Sequence, residues 1–354
     1  MKGIILHGGH GTRLRPLTHT GPKQLLPIAN KPMSEYCVET LASAGIKEIA
    51  FIIGGIGSKK VKEYYEEGEK FGVKFTYIQQ DAPRGIAHAV SLCEEFVNNE
   101  KFVVFLGDNI IQREINNYIL DFEKSDALAS LLLCEVDNPS QFGIAEIENN
   151  KIIKITEKPK NPPTNLAVTG IYFLTPYIFE IIKKLKPSWR NELEIADALQ
   201  MLIEENKEII YGMITDFWKD TGTPDDIIEA NKIILENMPE SFQGKKEEHV
   251  IMEGKIIVGK GAIIKNGVKI VGPAIIGKDC IIEGNTVIGE NTSIGENSHL
   301  SDCNISDSII MSNCTIKGGL EIRNSIIASN SKIIKEKKKT NKKFILGEGT
   351  QISL

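Results

Sequence analysis

What this 354-residue chain lacks narrows it first. Its six cysteines, at 37, 93, 134, 280, 303 and 314, are scattered and form no CxxC pair. That argues against a zinc site and a disulfide framework, and fits a reducing cytoplasm. Positive charge is not in excess: the net charge of −5 argues against nucleic acid as the main partner. No apolar run is long enough to cross a bilayer, and the first residues lack the shape of a signal peptide, so no membrane is expected. The glycine-rich stretch near the amino terminus lacks the Gly-Lys-Ser/Thr of a Walker A loop. It also lacks the third glycine and downstream acid of the dinucleotide fingerprint.

What is present begins with that same stretch, Gly8-Gly9-His10-Gly11-Thr12-Arg13-Leu14-Arg15-Pro16, closed by Pro22-Lys23. Gly3-Ile4-Ile5-Leu6 before it reads as a short strand buried on both faces. Glycines directly after a strand allow positive φ and close approach of backbone to a ligand. The N–H groups around Gly8, Gly9, Gly11 and Thr12, with the helix start that usually follows, make an anion cradle. Arg13, Arg15 and Lys23 add cations there, so the stretch reads as a triphosphate site.

From residue 1 to about 237 the pattern alternates apolar strands with helical stretches. Strands are expected at 49–53, 74–78, 102–106, 129–134, 143–147 and 170–174, helices at 34–44, 59–70, 87–96 and 178–185. Such alternation predicts an α/β domain, Rossmann-like, with a mostly parallel sheet and a ligand beyond the strands' carboxyl ends. Candidate residues fall there. Gln80 can pair with a pyrimidine edge, and Gly85 lets a flat base lie against backbone. His88 lies on the following helix and reads as a packing or surface residue. Asp108 ends a buried strand, where a carboxylate either caps the turn or ligates a cation such as magnesium. A second acid, Asp220, stands in Trp218-Lys219-Asp220-Thr221-Gly222. Gly143 would let a hexose approach backbone, while Glu157-Lys158 offers an acceptor for sugar hydroxyls beside a cation for phosphate.

Residues 238–249 are polar and read as a linker. Beyond them Val258, Ile264, Ile270, Ile276, Ile282, Ile288, Ile294 and Leu300 recur every six residues. Ala262, Val268, Ala274, Cys280, Thr286, Thr292 and Ser298 stand four places after the first seven. That register predicts a hexapeptide parallel β-helix over 250–354, with Gly259, Gly277, Gly289 and Gly295 at tight corners. The phase slips after Leu300, to Ile305, Ile310, Ile316 and Ile322. His299 reads as a surface histidine, and the basic run 335–343 as a solvated loop.

The glycine loop, Pro22-Lys23-Gln24-Leu25-Leu26-Pro27-Ile28 and Lys31-Pro32 together resemble the signature of sugar-phosphate nucleotidyltransferases. Thr18-His19-Thr20-Gly21-Pro22-Lys23-Gln24 resembles, within that family, the long form of the glucose-1-phosphate thymidylyltransferases. The resemblance implies a left-handed coil for the prism and Mg²⁺ as cofactor, with Asp108 and Asp220 as its ligands. It implies base contacts from Gln80 and Gly85, and sugar-phosphate contacts from Gly143, Glu157, Lys158, Val168, Gly170, Tyr172 and Arg190. His7 stands where the family usually has a small residue, which would put an imidazole close to the nucleotide. Asn191 likewise replaces a usual glycine.

The expected reaction joins glucose 1-phosphate to dTTP and releases pyrophosphate. Arg13, Lys23, Asp108 and Asp220 would carry the catalysis. The alternatives are a UTP-dependent uridylyltransferase and a bifunctional enzyme whose prism also transfers acetyl groups. A structural or oligomerising prism is preferred, with a homo-oligomer expected.

Overall fold

A strand whose side chains are aliphatic on both faces must be covered on both, and β1 (Lys2–His7) is buried from Gly3 to His7. A computed structural model describes residues 1–9, 11–112 and 114–335. By contact the chain divides into two units. The first comprises Met1–Gly11, Thr18–Leu25 and Met33–Asp220; the second comprises Thr12–Leu17, Leu26–Pro32 and everything from Thr221 onward.

The first unit is built on a nine-stranded sheet. After β1 come β2 (Glu48–Ile53), β3 (Lys74–Gln79), β4 (Phe102–Leu106), β5 (Ala129–Glu135), β6 (Gly143–Glu148), β7 (Lys151–Glu157), β8 (Leu166–Leu174) and β9 (Ile209–Met213). The order is β7-β6-β8-β4-β1-β2-β3, with β5 also paired to β8 and β9 to β5. Ile4, Leu6, Phe102 and Val104 face one core; Ile5, Phe51, Val103 and Phe105 face the other.

The α/β class holds, but the sheet is mixed. β4, β1, β2 and β3 run parallel, as do β5 and β9, whereas β8 is antiparallel to β4, β5 and β6. Part of the reason is the β6–β7 hairpin. Asn149 and Asn150 take φ of 48° and 61°, the pair of positive values a two-residue turn needs, so the chain returns beside itself without a crossover helix. Two expected helices are interrupted. The stretch 59–70 breaks after Tyr65, with Gly68 at φ 93°, and 87–96 divides into Ile86–Ser91 and Glu94–Val97.

In the second unit, parallel strands stack into three ladders. Ile263 pairs with Ile281 and Ile281 with His299, eighteen residues per coil, or three hexapeptides. The eight aliphatics from Val258 to Leu300 are all fully buried. After Leu300 the coils shorten: His299 pairs with Thr315 and Ile309 with Ile326, matching the phase slip. The corner glycines serve a different purpose from the one expected. Gly277 carries no positive φ; a Cβ there would stand 2.5 Å from the Glu296 nitrogen of the next coil. Positive φ falls instead on a column of Gly261, Asp279, Asn297, Asn313 and Asn330. The stretch read as a linker carries two short strands, Ser241–Phe242 and Lys245–Lys246, paired to Ile257–Val258 and Ile263–Ile264. His299 is part-buried and hydrogen-bonded to Glu283 at 2.6 Å. The basic run lies outside the described residues beyond Lys335.

The helix Pro224–Asn237, opened by a Thr223/Asp226 capping box, is tied to both other parts of this unit by Asn231. Asn231 is fully buried; its Oδ1 accepts from the Ala29 amide at 2.9 Å and the Ser293 hydroxyl at 2.6 Å. Its Nδ2 donates to the Asn291 carbonyl at 2.9 Å. Replacing it strands three buried polar groups. Asn231→Ala should therefore lower stability by about 2–4 kcal/mol, read as a shifted guanidinium midpoint.

Candidate active site

The loop after β1 is fixed from outside itself. Gln24 Nε2 donates to the Gly8 carbonyl at 3.0 Å, and the Thr18 hydroxyl to the Gly11 carbonyl at 2.8 Å. Gly11 has φ 57°, and a Cβ there would stand 2.9 Å from Thr18. Thr12 and Arg13 belong to the second unit and lie on a single 3-10 turn, Thr12–Leu14. No α-helix starts there: Pro16 disfavours helical geometry at Arg15, and the first α-helix is Met33–Ser43. Within that unit Arg13 packs on Gly222, whose Cβ would meet its guanidinium at 3.0 Å.

At the end of β4, Lys23 forms an ion pair with Asp108, and both side chains are only 13% exposed. Burial by itself would raise the Asp108 carboxyl, but the Lys23 ammonium, aided by the Asn109 amide, holds it below the usual carboxylate range. Asp220 reaches the same place through a two-stranded ribbon, Asn109–Ile111 with Trp218–Asp220, in which it pairs directly with Asn109. Asn109, which the sequence reading passed over, ties the region together. Its Oδ1 accepts from the Gly170 amide at 3.1 Å and Trp218 Nε1 at 2.8 Å, and its Nδ2 donates to Asp108 at 3.0 Å. Gly170 is glycine for that reason: a Cβ would stand 2.7 Å from the Asn109 oxygen. Asp108 thus joins an ion-paired lysine, which disfavours a mere turn cap.

Of the residues expected to meet the sugar phosphate, Gly143, Glu157, Val168, Gly170 and Tyr172 lie on β6, β7 and β8. Glu157 pairs with Gly143 across the hairpin, and a Cβ on Gly143 would crowd its carboxylate at 3.2 Å. The same Cβ position lies 4.0 Å from Val168. Lys158 stands 3.7 Å from Glu157. Burial, outweighing Lys158, and then the neighbouring Glu194 push the Glu157 carboxyl up. Arg190 is not poised with its charge uncompensated. It lies 3.3 Å from Glu157, 2.9 Å from Glu192 and 3.5 Å from Glu194. Tyr172 connects the two halves. It is buried, and burial first, then the negative fields of Glu157, Asp108, Asp220 and Glu194, push its hydroxyl pKa well up. The phenol therefore stays neutral in the folded state.

On the nucleotide side, Gln80 is 5% exposed at the end of β3. Gly85 is glycine because of its neighbours: φ is 101°, and a Cβ would meet the Leu193 carbonyl at 2.3 Å. His88 is more than a packing residue, since its Nδ1 lies 2.9 Å from Gln80 Nε2.

Among the described residues no three His, Cys, Asp or Glu side chains form a complete metal cage. Two carboxylates near the glycine-rich loop fit magnesium, which takes one or two protein oxygens and completes its shell with other ligands and water. Among the described residues no helix is long and apolar enough to cross a membrane.

Residues 2–237 match the family described as nucleotidyl transferase, and residues 270–353 match the GMPPB C-terminal domain. The chain is 38% identical to a glucose-1-phosphate thymidylyltransferase of Streptomyces antibioticus, over 100% of this chain and 99% of that one. It is 45% identical to the low-salt glycan biosynthesis nucleotidyltransferase Agl11 of Haloferax volcanii, over 74% of each. A Bacillus anthracis structure solved with sucrose, assigned as a glucose-1-phosphate thymidylyltransferase, superposes with TM-score 0.64 at 42% identity, covering 68% of this chain and 98% of that one.

His7 turns into the core. Strand alternation puts it on the side of Ile5, with its ring 5.0 Å from Phe51 and 6.1 Å from Tyr65. Neither ring nitrogen has a hydrogen-bond partner among the described residues. Burial, only partly opposed by Asp108, pushes its pKa down to about 3. The folded state therefore holds a neutral imidazole where the unfolded chain binds a proton. This stability is present above pH ~6.5 and is lost as pH falls toward 3, by about 1.4 kcal/mol per pH unit. Between pH 7 and 5, His7→Phe should lose about 2 kcal/mol less stability than wild type in denaturant titrations.

Proposed function

Because the chain belongs to the nucleotidyl transferase family and is a sugar-1-phosphate nucleotidyltransferase, we propose that it transfers the thymidylyl group of dTTP to glucose 1-phosphate. The products are dTDP-glucose and pyrophosphate. The observation that carries the reading is Asp108, ion-paired to Lys23 and bonded by Asn109, whose strand partner across the ribbon is Asp220. Acid and cation at that point suit phosphates, and acceptors next to it suit sugar hydroxyls. The thymidine choice is supported by the full-length relative from Streptomyces antibioticus.

A sugar phosphate oxygen attacks the α-phosphorus in line; that O–P bond forms as the bond to the β-phosphate oxygen breaks, and pyrophosphate leaves with the electron pair. The attacking phosphate is already ionised, so no general base is required. The protein's task is to bring two anions together and steady charge on the leaving group. The amides of Gly8, Gly9, Gly11 and Thr12, with Arg13 following them in sequence, hold the triphosphate. Lys23 neutralises the α-phosphate region. Gln80 and Gly85 hold the base. Gly143, Glu157, Val168, Gly170 and Tyr172 bound the hexose, and Lys158 with Arg190 takes its phosphate. Asp108 and Asp220 would hold Mg²⁺, whose charge would offset the repulsion between the two substrates.

Asp220→Ala and Lys23→Ala should each lower kcat by roughly 10²–10³-fold while leaving circular dichroism unchanged. Near-wild-type turnover in either variant would remove that residue from the mechanism. A pyrophosphate-release panel crossing dTTP, UTP, dCTP and dATP with glucose, N-acetylglucosamine and mannose 1-phosphates tests the substrates. The highest kcat/KM should fall on dTTP with glucose 1-phosphate; a maximum on UTP would replace the thymidylyl assignment with a uridylyl one.

A further inference from the structure

Gln80 is buried and carries a primary amide, a group with two flips that present opposite hydrogen-bonding patterns. In one flip the oxygen faces a ligand and accepts; in the other the nitrogen faces it and donates. Thymine and uracil expose a ring N–H beside a carbonyl oxygen, whereas cytosine exposes a bare ring nitrogen beside an amino group. The flip of one amide thus chooses between these edges. Fixing it requires a neighbour that tolerates only one orientation.

His88 is such a neighbour in one of its tautomers: Gln80 Nε2 lies 2.9 Å from His88 Nδ1, and with the ring proton on Nε2 that Nδ1 accepts from the amide nitrogen. The Gln80 oxygen lies on the other side: a Cβ added to Gly8 would stand 3.7 Å from it, and it accepts no hydrogen bond among the described residues. The backbone under both residues is pinned. The Gln80 amide donates to the Ile53 carbonyl at 2.8 Å. Ala87, next to His88, donates to the Leu193 carbonyl at 3.0 Å. His88 itself stands at the edge of a cavity of about 620 Å³ that Arg84 and Leu193 also line, so apolar packing alone does not account for it.

We propose that His88 is a positioning residue that makes the site select a keto pyrimidine over an amino pyrimidine nucleotide, by holding the Gln80 carboxamide with its oxygen toward the phosphate loop. The inference rests on the reading that Gln80 faces the base. Held this way, the oxygen accepts the thymine or uracil ring N–H, and the second amide hydrogen reaches the adjacent carbonyl. Cytosine would set its ring-nitrogen lone pair against that oxygen and its amino group against the amide N–H. His88 does not touch the nucleotide, and it has no means of separating dTTP from UTP, whose reading edges are the same.

The test is steady-state kcat/KM for dTTP, UTP and dCTP with glucose 1-phosphate at fixed pH, in wild type, His88→Leu, His88→Asn and Gln80→Leu. His88→Leu removes the acceptor. It should lower the dTTP:dCTP ratio by about tenfold or more, through KM for dTTP, leaving KM for the sugar phosphate and the dTTP:UTP ratio unchanged. His88→Asn restores an acceptor and should recover most of the ratio. If His88→Leu does not fold, His88→Phe keeps the ring volume without the acceptor and should give the same result. A folded variant without the acceptor whose dTTP:dCTP ratio stays within about twofold of wild type, while Gln80→Leu lowers it, overturns the role of His88 alone. If Gln80→Leu also leaves the ratio unmoved, base reading by Gln80 fails and the inference falls with it.

Discussion

A carboxylate buried at the end of a strand is tolerated only if a cation or several donors meet it. At Asp108 both are present, and the rest of the site follows from how they arrive. Lys23 comes from the chain that closes the glycine loop, so pairing it with Asp108 draws that stretch onto the end of β4. Asn109, the next residue, turns its amide to β8 and to Trp218 while supporting Asp108. The ribbon that Trp218 begins ends at Asp220. One ion pair and one amide therefore bring residues from four separate parts of the sequence to a single rim. The same requirement explains two glycines: Gly170 leaves space for the Asn109 oxygen, and Gly143 for Glu157.

The second unit shows a different economy. A hexapeptide prism needs only a repeated aliphatic in its interior, and every coil from Val258 to Leu300 supplies one. What joins it to other parts of its unit is polar. The hairpin Pro27–Pro32 and the helix Pro224–Asn237 meet it through Asn231, and Asn30 Nδ2 donates to the Ile294 carbonyl at 2.7 Å. Apolar contact is non-directional; a fully bonded buried amide accepts only one docking geometry. Arg13 stands in this unit against Gly222, two residues ahead of that helix, so the prism and a phosphate-loop cation share one contact network.

Periodic features were legible in the sequence, and features fixed by long-range contacts were not. The six-residue repeat predicted the prism and the slip after Leu300 where its coils shorten, because one interior side chain per face is a local rule. The four parallel strands around β1 were legible from their doubly apolar runs. The antiparallel β8 was not, although Asn149-Asn150 signals a tight hairpin and could have revealed β7. The column of Asp279, Asn297, Asn313 and Asn330 was also available, since these residue types tolerate positive φ, but the glycines drew the eye instead. The partners of His7 and Arg190 were not legible for a shared reason. Which face a strand-end side chain takes, and how many carboxylates close on a guanidinium, depends on partners far away in sequence.

Arg190 also alters how the sugar half must work. Glu157, Glu192 and Glu194 already balance its charge, and Lys158 lies on Glu157 as well. This cluster thus holds more carboxylates than uncompensated cations. If the proposed sugar site lies here, a bare phosphate would meet repulsion, whereas the hydroxyls of a hexose phosphate would donate to the glutamates while Lys158 and Arg190 exchanged a carboxylate for the phosphate. Recognition of the hexose would then be a condition for recognition of its phosphate.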